Sequence, residues 1–148
     1  MTERDDVRLL REAIALSRNA SPSQAAFSVG AIIAAPDGSV LAQGYSRERG
    51  PHSHAEQIAL DKASERGLDL RGATLYTSLE PCSVRKSGLG PCTERIVASG
   101  ITRVVFAMRE PPVFVDGNGA KMLAEAGVDV LELNGEAAAV ARINAHLL

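Results

Sequence analysis

Tryptophan is missing from this sequence, and only five aromatic residues occur: Phe27, Tyr45, Tyr76, Phe106 and Phe114. A platform that stacks the bases of a single strand needs more rings than that. A net charge of −2 also lacks the basic surface that broad nucleic-acid binding requires. No nucleic-acid partner is therefore expected. No apolar run approaches the roughly 20 residues of a membrane span, so no membrane partner is expected either. Met1 to Arg11 is charged and has no apolar stretch of the kind a signal peptide carries, which makes the cytoplasm the expected location. Cysteine is scarce too: there are two, Cys82 and Cys92, each preceded by proline. A disulfide between them is uncommon in a reducing compartment, and metal ligation is the stronger reading. Repeats, low-complexity tracts and internal linkers are absent. A single domain over residues 1–148 is expected, long enough for a full core.

What is present alternates. The segment around Val7, Leu10 and Ile14 has helical spacing and should end before Ser21-Pro22. Ser28 to Ala35 and Ser39 to Tyr45 read as two strands of a hairpin around the turn Pro36-Asp37-Gly38. A helix should start near His54, carry Ala55, Ile58 and Ala59 inward, and stop before Gly67. Ala73 to Ser78 is a third strand, Pro91 to Gly100 a helix with a glycine stop, and Arg103 to Ala107 a fourth strand. Gly119 to Ala126 is a helix, Val128 to Leu133 a fifth strand, and a last helix should bury Val140, Ile143 and Leu147. Strands alternating with helices from Ala73 onward imply right-handed crossovers and a parallel half-sheet. The expected fold is a three-layer α/β/α arrangement, a five-stranded mixed sheet flanked by helices. Ligands of such sheets lie outside the carboxyl ends of the parallel strands, where Cys82 falls.

The chemistry-bearing residues are His54-Ala55-Glu56, Pro81-Cys82 and Pro91-Cys92. His54, Cys82 and Cys92 are three soft ligands, and a zinc ion held by three protein groups keeps a fourth position for water. Water of lowered pKa needs a proton carrier beside it, and Glu56 is placed to be one. The pattern matches the zinc nucleobase deaminase signature, His-x-Glu followed by Pro-Cys and a second Cys. Residues two apart within a helix point to nearly opposite sides, so His54 and Glu56 converge only if His54 sits at the helix entry, with Ser53 a candidate cap. Pro91 at the first helical position puts Cys92 in the first turn, where the positive helix end favours a thiolate.

Nine residues, Ser83 to Pro91, separate the two cysteines, where the compact signature has two. The inserted segment Ser83-Val84-Arg85-Lys86-Ser87-Gly88-Leu89-Gly90 is basic and tethered near the metal at both ends. It reads as a substrate-recognition loop, with Arg85 and Lys86 facing an anionic group; the bland alternative is a solvated surface loop. Substrate-contact candidates are His52, Ser83, Arg85 and Lys86, with His52 equally readable as a loop or supporting group. His146 reads as a surface residue.

With its cysteines this far apart, the chain resembles the riboflavin-pathway branch of the cytidine deaminase-like superfamily, and within it the fungal-type diaminopyrimidine deaminases. The resemblance is carried by Ala26 to Gly30, Gly44-Tyr45-Ser46-Arg47-Glu48, His54 to Gln57, Thr74 to Ser83, Pro91 to Ile96, and the stretch from Arg109 through Phe114 to Gly119. It implies hydrolytic deamination of a 2,5-diamino-6-ribosylamino- or ribitylamino-pyrimidinone 5'-phosphate. In that reaction water activated at zinc attacks the carbon bearing the exocyclic amine. Glu56 takes the water proton, protonates a ring nitrogen and then helps ammonia leave. A small phosphorylated pyrimidine is thus the expected ligand, and a homodimer the expected assembly. Bacterial bifunctional relatives carry Asn-Pro where this chain has Ala26-Phe27, and a His where it has Val84, so contacts made by those groups are not carried over. No reductase domain is expected in a chain ending at Leu148.

Three competing readings stand beside this one. The chain could deaminate another free pyrimidine or nucleotide. A tRNA adenosine deaminase fits poorly with the acidic balance and the long loop. A zinc-stabilised binding module without catalysis would have no use for Glu56.

Overall fold

The computed structural model describes residues 3–83, 91–112 and 118–148. Leu9, Leu10, Ala13 and Ile14 recur at three-to-four spacing and form the buried face of helix α1 (Glu3–Leu16). Val7 lies at the edge of that face and is half-buried, while Asp6 is carried inward. The hairpin strands are β1 (Gly30–Ala34), buried throughout, and β2 (Val40–Tyr45). Between them Gly38 turns the chain at φ 90°, and Asp37 Oδ1 accepts the Ser39 amide at 2.9 Å.

Helix α2 (Ala55–Glu65) follows, then β3 (Thr74–Leu79), α3 (Cys92–Ser99), β4 (Arg103–Met108), α4 (Gly119–Glu125), β5 (Asp129–Glu132) and α5 (Ala137–Ile143). The sheet order is β2-β1-β3-β4-β5. β1 runs antiparallel to both β2 and β3, whereas β3, β4 and β5 are parallel. Helices α1 and α5 cover one face; α2, α3 and α4 cover the other. This is the mixed, doubly covered sheet expected from the alternation of elements. Among the described residues no helix is long and apolar enough to cross a membrane.

The α1 face contains a buried ionic knot. Asp6 accepts the Tyr76 hydroxyl at 2.6 Å and a two-pronged bond from Arg103 at 2.8 and 2.6 Å, tying α1 to β3 and β4. Arg103 foremost holds the Asp6 carboxyl below its ordinary range, against the opposing effect of burial. Three local expectations shift. The cap of α2 is His54 rather than Ser53, whose hydroxyl instead donates to the Gly50 carbonyl at 2.9 Å. Pro91 is extended at φ −63°, ψ 152° and caps α3, so the helix begins at Cys92. At the C-terminus, α5 stops at Ile143 and a 3-10 turn takes over at Ala145–Leu147, because Asn144 is drawn inward to accept the Ser28 amide at 2.7 Å. Val140 is buried there, but Ile143 and Leu147 are only partly covered.

Candidate active site

Two helix starts and one strand end meet at the carboxyl edge of the parallel strands. His54 is extended at φ −94°, ψ 150° as the cap of α2, which frees its ring to point to the same place as Glu56, two residues on. Cys92 is the first residue of α3, and Cys82 lies three residues beyond the end of β3. His54 Nδ1 stands 3.5 Å from each sulfur, and all three donor atoms lie within 4.8 Å of one another. A tetrahedral zinc with Zn–S near 2.3 Å and Zn–N near 2.0 Å requires about 3.5 Å between nitrogen and sulfur. The donor set therefore fits that ion in both chemistry and spacing.

The helix-end effect expected on Cys92 is delivered to its neighbour. The Cys92 amide, at the start of α3, donates to Cys82 Sγ at 3.3 Å. The Cys92 side chain foremost, then His54 and this amide, hold the Cys82 thiol far below its ordinary value, although burial pulls the other way. Both cysteines are buried, and neither is in a disulfide.

Glu56 is only 4% exposed, inside the first turn of α2. Burial pushes its pKa up, opposed by His54 and by the Thr77 hydroxyl, which lies 2.7 Å from Oε1. Thr77 comes from β3 and is fully buried; its hydroxyl also lies 3.1 Å from the Leu79 carbonyl oxygen, a second acceptor for its single hydrogen. The carboxyl group is thus desolvated, beside the ligand set, and held by a group that can donate or accept.

A second buried carboxylate, Glu80, builds the wall of the site. Its Oε1 accepts the Glu110 amide at 3.1 Å and its Oε2 the Ala120 amide at 2.8 Å, which pins the segment after β4 and the start of α4 to the Cys82 loop. Gly119 makes the contact closer: a Cβ there would stand 1.8 Å from the Pro81 carbonyl oxygen. Ser83 is buried, and its Oγ accepts the Asn118 amide at 3.0 Å, joining the same clamp.

His52 is exposed in the turn before α2, two residues from His54. Arg85 and Lys86 lie outside the described residues. His146 is exposed, with Nε2 2.9 Å from the Ser23 carbonyl oxygen. Sequence reasoning missed Thr77, Glu80 and Glu110. A signal existed for Glu80, an acidic residue directly before Pro81-Cys82; for Thr77 only the strand alternation, which turns it away from Tyr76, was available.

Residues 3–108 match the family model described as the cytidine and deoxycytidylate deaminase zinc-binding region. The diaminohydroxyphosphoribosylamino-pyrimidine deaminase of Schizosaccharomyces pombe is 38% identical over 118 residues, covering 78% of this chain and 29% of that protein. The riboflavin biosynthesis protein RibD of Aquifex aeolicus is 40% identical over 103 residues, covering 70% and 27%. This chain thus spans less than a third of the length of these curated relatives. The crystal structure of a diaminohydroxyphosphoribosylaminopyrimidine deaminase/5-amino-6-(5-phosphoribosylamino)uracil reductase from Thermotoga maritima superposes with a TM-score of 0.81 at 32% identity, over 96% of this chain and 40% of that one.

Proposed function

This chain belongs to the family of cytidine and deoxycytidylate deaminases with that zinc-binding region, and from that membership we propose that it removes an amine by hydrolysis from a diaminopyrimidinone ribosylamino or ribitylamino 5'-phosphate, a step of riboflavin biosynthesis. The observation that carries the reading is a desolvated carboxyl, Glu56, beside a three-donor set spaced for zinc. A closed structural site would use four ligands and no free acid. The pyrimidine substrate is supported by the name of the S. pombe relative, and the riboflavin pathway by that of the Aquifex relative.

His54, Cys82 and Cys92 are the residues that would hold the ion, and two thiolates offset its charge. When bound, zinc supplies the acidity that makes water a nucleophile near neutral pH. Everything else falls to the chain. Glu56 takes a proton from the attacking water and gives it to a ring nitrogen as the C–O bond forms. The remaining hydroxyl proton returns through Glu56 to the exocyclic amine as the C–N bond breaks, leaving a carbonyl and ammonia. The raised pKa of Glu56 suits a group that must hold a proton as well as take one. Thr77 orients it.

Ammonia release is the test, screened over diaminopyrimidine phosphates, cytidine, dCMP and guanine with the zinc-loaded protein. The diaminopyrimidine phosphates should be turned over fastest, and Glu56→Gln should lower that rate by about 10²–10⁴-fold while zinc stays bound. Turnover of dCMP alone would transfer the assignment to a nucleotide deaminase, the second reading, which the family's own description favours. A cytoplasmic setting, supported by two cysteines that form no disulfide, and a homodimer, supported by the family resemblance and testable by sedimentation, belong to the same proposal.

A further inference from the structure

Glu110 lies two residues beyond β4, on the sheet edge that carries Cys82. Its main chain is held in place, since its amide donates to Glu80 Oε1. Its side chain contains something unusual. Oε2 is sealed from solvent and has no hydrogen-bond partner. Among the described residues only one other buried side-chain polar atom is in that state, Thr93 Oγ1, one residue past Cys92. Both unpartnered atoms therefore belong to segments that form the site. Glu110 also feels the site directly: burial first, then negative charge at Cys82, Glu56 and Glu80, push its pKa up to about 7.

A buried acceptor without a donor is costly, and is tolerated where a ligand brings the donor. Glu110 is tied through its own amide to Glu80, two residues before Cys82, so its buried Oε2 lies by the reacting centre and the ligand atom it meets belongs to the ring rather than to a phosphate. A phosphate, moreover, is an acceptor that a carboxylate repels. Cytosine carries one amino group, and that group is the one lost. A diaminopyrimidine ring carries a second.

We propose that Glu110 reads the substrate, its Oε2 accepting a hydrogen bond from the ring amino group that is retained in the product. This rests on the deaminase reading above and names the feature by which the site would prefer a diaminopyrimidine to cytosine. Glu110 touches the substrate; Glu80 is its positioning residue.

The test compares Glu110→Ala and Glu110→Gln with the unaltered zinc-loaded protein, on the diaminopyrimidine phosphate and on an analogue lacking the retained amino group. Glu110→Ala should raise KM for the two-amino ring by about 10- to 100-fold, with Glu110→Gln, which keeps an acceptor, in between. On the one-amino analogue the difference should vanish. Zinc content should be unchanged, and the Tm without ligand unchanged or higher, because the oxygen removed had no partner. A KM within about twofold of the unaltered protein, an equal loss on both rings, or a lowered ligand-free Tm with unchanged KM would each overturn the proposal. If the unaltered protein deaminates neither ring, the function reading falls first. Glu110 is then judged by thermal-shift titration of the same two compounds, where preference for the two-amino ring must be present and must disappear in Glu110→Ala.

Discussion

Replacing Gly119 with alanine puts the seating of α4 against the metal loop under direct load. A Cβ at this position would stand 1.8 Å from the Pro81 carbonyl oxygen and 3.4 Å from Thr93 Cγ2. Real Cβ contacts essentially never fall under 3.0 Å, so the two segments must part by about 1.2 Å. Pro81 directly precedes Cys82, so that displacement arrives at a sulfur ligand, whereas the approach to Thr93 is an ordinary contact. Overpacking of this kind costs about 1–3 kcal/mol. A misplacement near 1 Å in a catalytic constellation costs about 10²-fold in rate. Gly119→Ala should therefore lower Tm, lose zinc on dialysis against a chelator, and reduce saturating ammonia release about a hundredfold. Gly30→Ala is the matched control, because its Cβ would stand 1.9 Å from the Ala13 carbonyl oxygen, on the α1 face of the sheet. It should lose stability on the same scale while its folded fraction keeps zinc and kcat. Gly135→Ala, whose Cβ meets nothing within 4 Å, should stay within about 0.5 kcal/mol of the original. If Gly119→Ala retains zinc and turns over like Gly30→Ala at equal folded fraction, α4 is not coupled to the ligands and the reasoning fails.

The remaining expectations concern single groups. Thr77→Val removes the bond that lowers the Glu56 pKa, so the acid limb of the kcat/KM profile should move to higher pH with zinc retained; an unmoved limb would sink Thr77's role. Asp6, depressed foremost by Arg103, contributes stability that is present above its unfolded pKa of about 3.9 and lost as pH falls through the lower folded value. Denaturation of the original protein should thus steepen with acid in that window more than for Asp6→Asn, and identical slopes would contradict the assignment. Cys82→Ser and Cys92→Ser should each reduce bound zinc to trace levels by elemental analysis, and full metal content in either would refute the ligand set.

The parts of the fold legible in the sequence are those written locally. The hairpin turn at Pro36-Asp37-Gly38, the glycine stop at Gly100 and the placement of Cys82 past a strand all follow from nearest-neighbour chemistry. The convergence of His54 with Glu56 was legible for the same reason, since only an extended His54 permits it. What stayed hidden depends on contacts between distant segments. Glu80 matters because the Glu110 and Ala120 amides, 30 and 40 residues away, close on it. Ser53 looked like a cap because caps are usually hydroxyls, but here the helix start is given to a ligand and the hydroxyl spent on the preceding turn. Asp6 carries no local signal, because an acid one step round from an apolar stripe is buried only if an arginine elsewhere in the fold, here the partly buried Arg103, meets it.

Neighbouring residues of β3 face opposite ways, Tyr76 toward Asp6 and Arg103, Thr77 toward Glu56. The strand therefore works as a key cut on both edges. A slip of one residue against β1 or β4 would put the phenol under Glu56 and the short threonine over the ionic knot, leaving Asp6 without one donor and crowding the other side. Hydrophobic patterning alone cannot penalise that slip, because every residue of β3 is buried. Two unlike polar partners, one on each face, supply the missing penalty. The same substitution that disarms the proton carrier should then also loosen the alignment of the sheet beneath it.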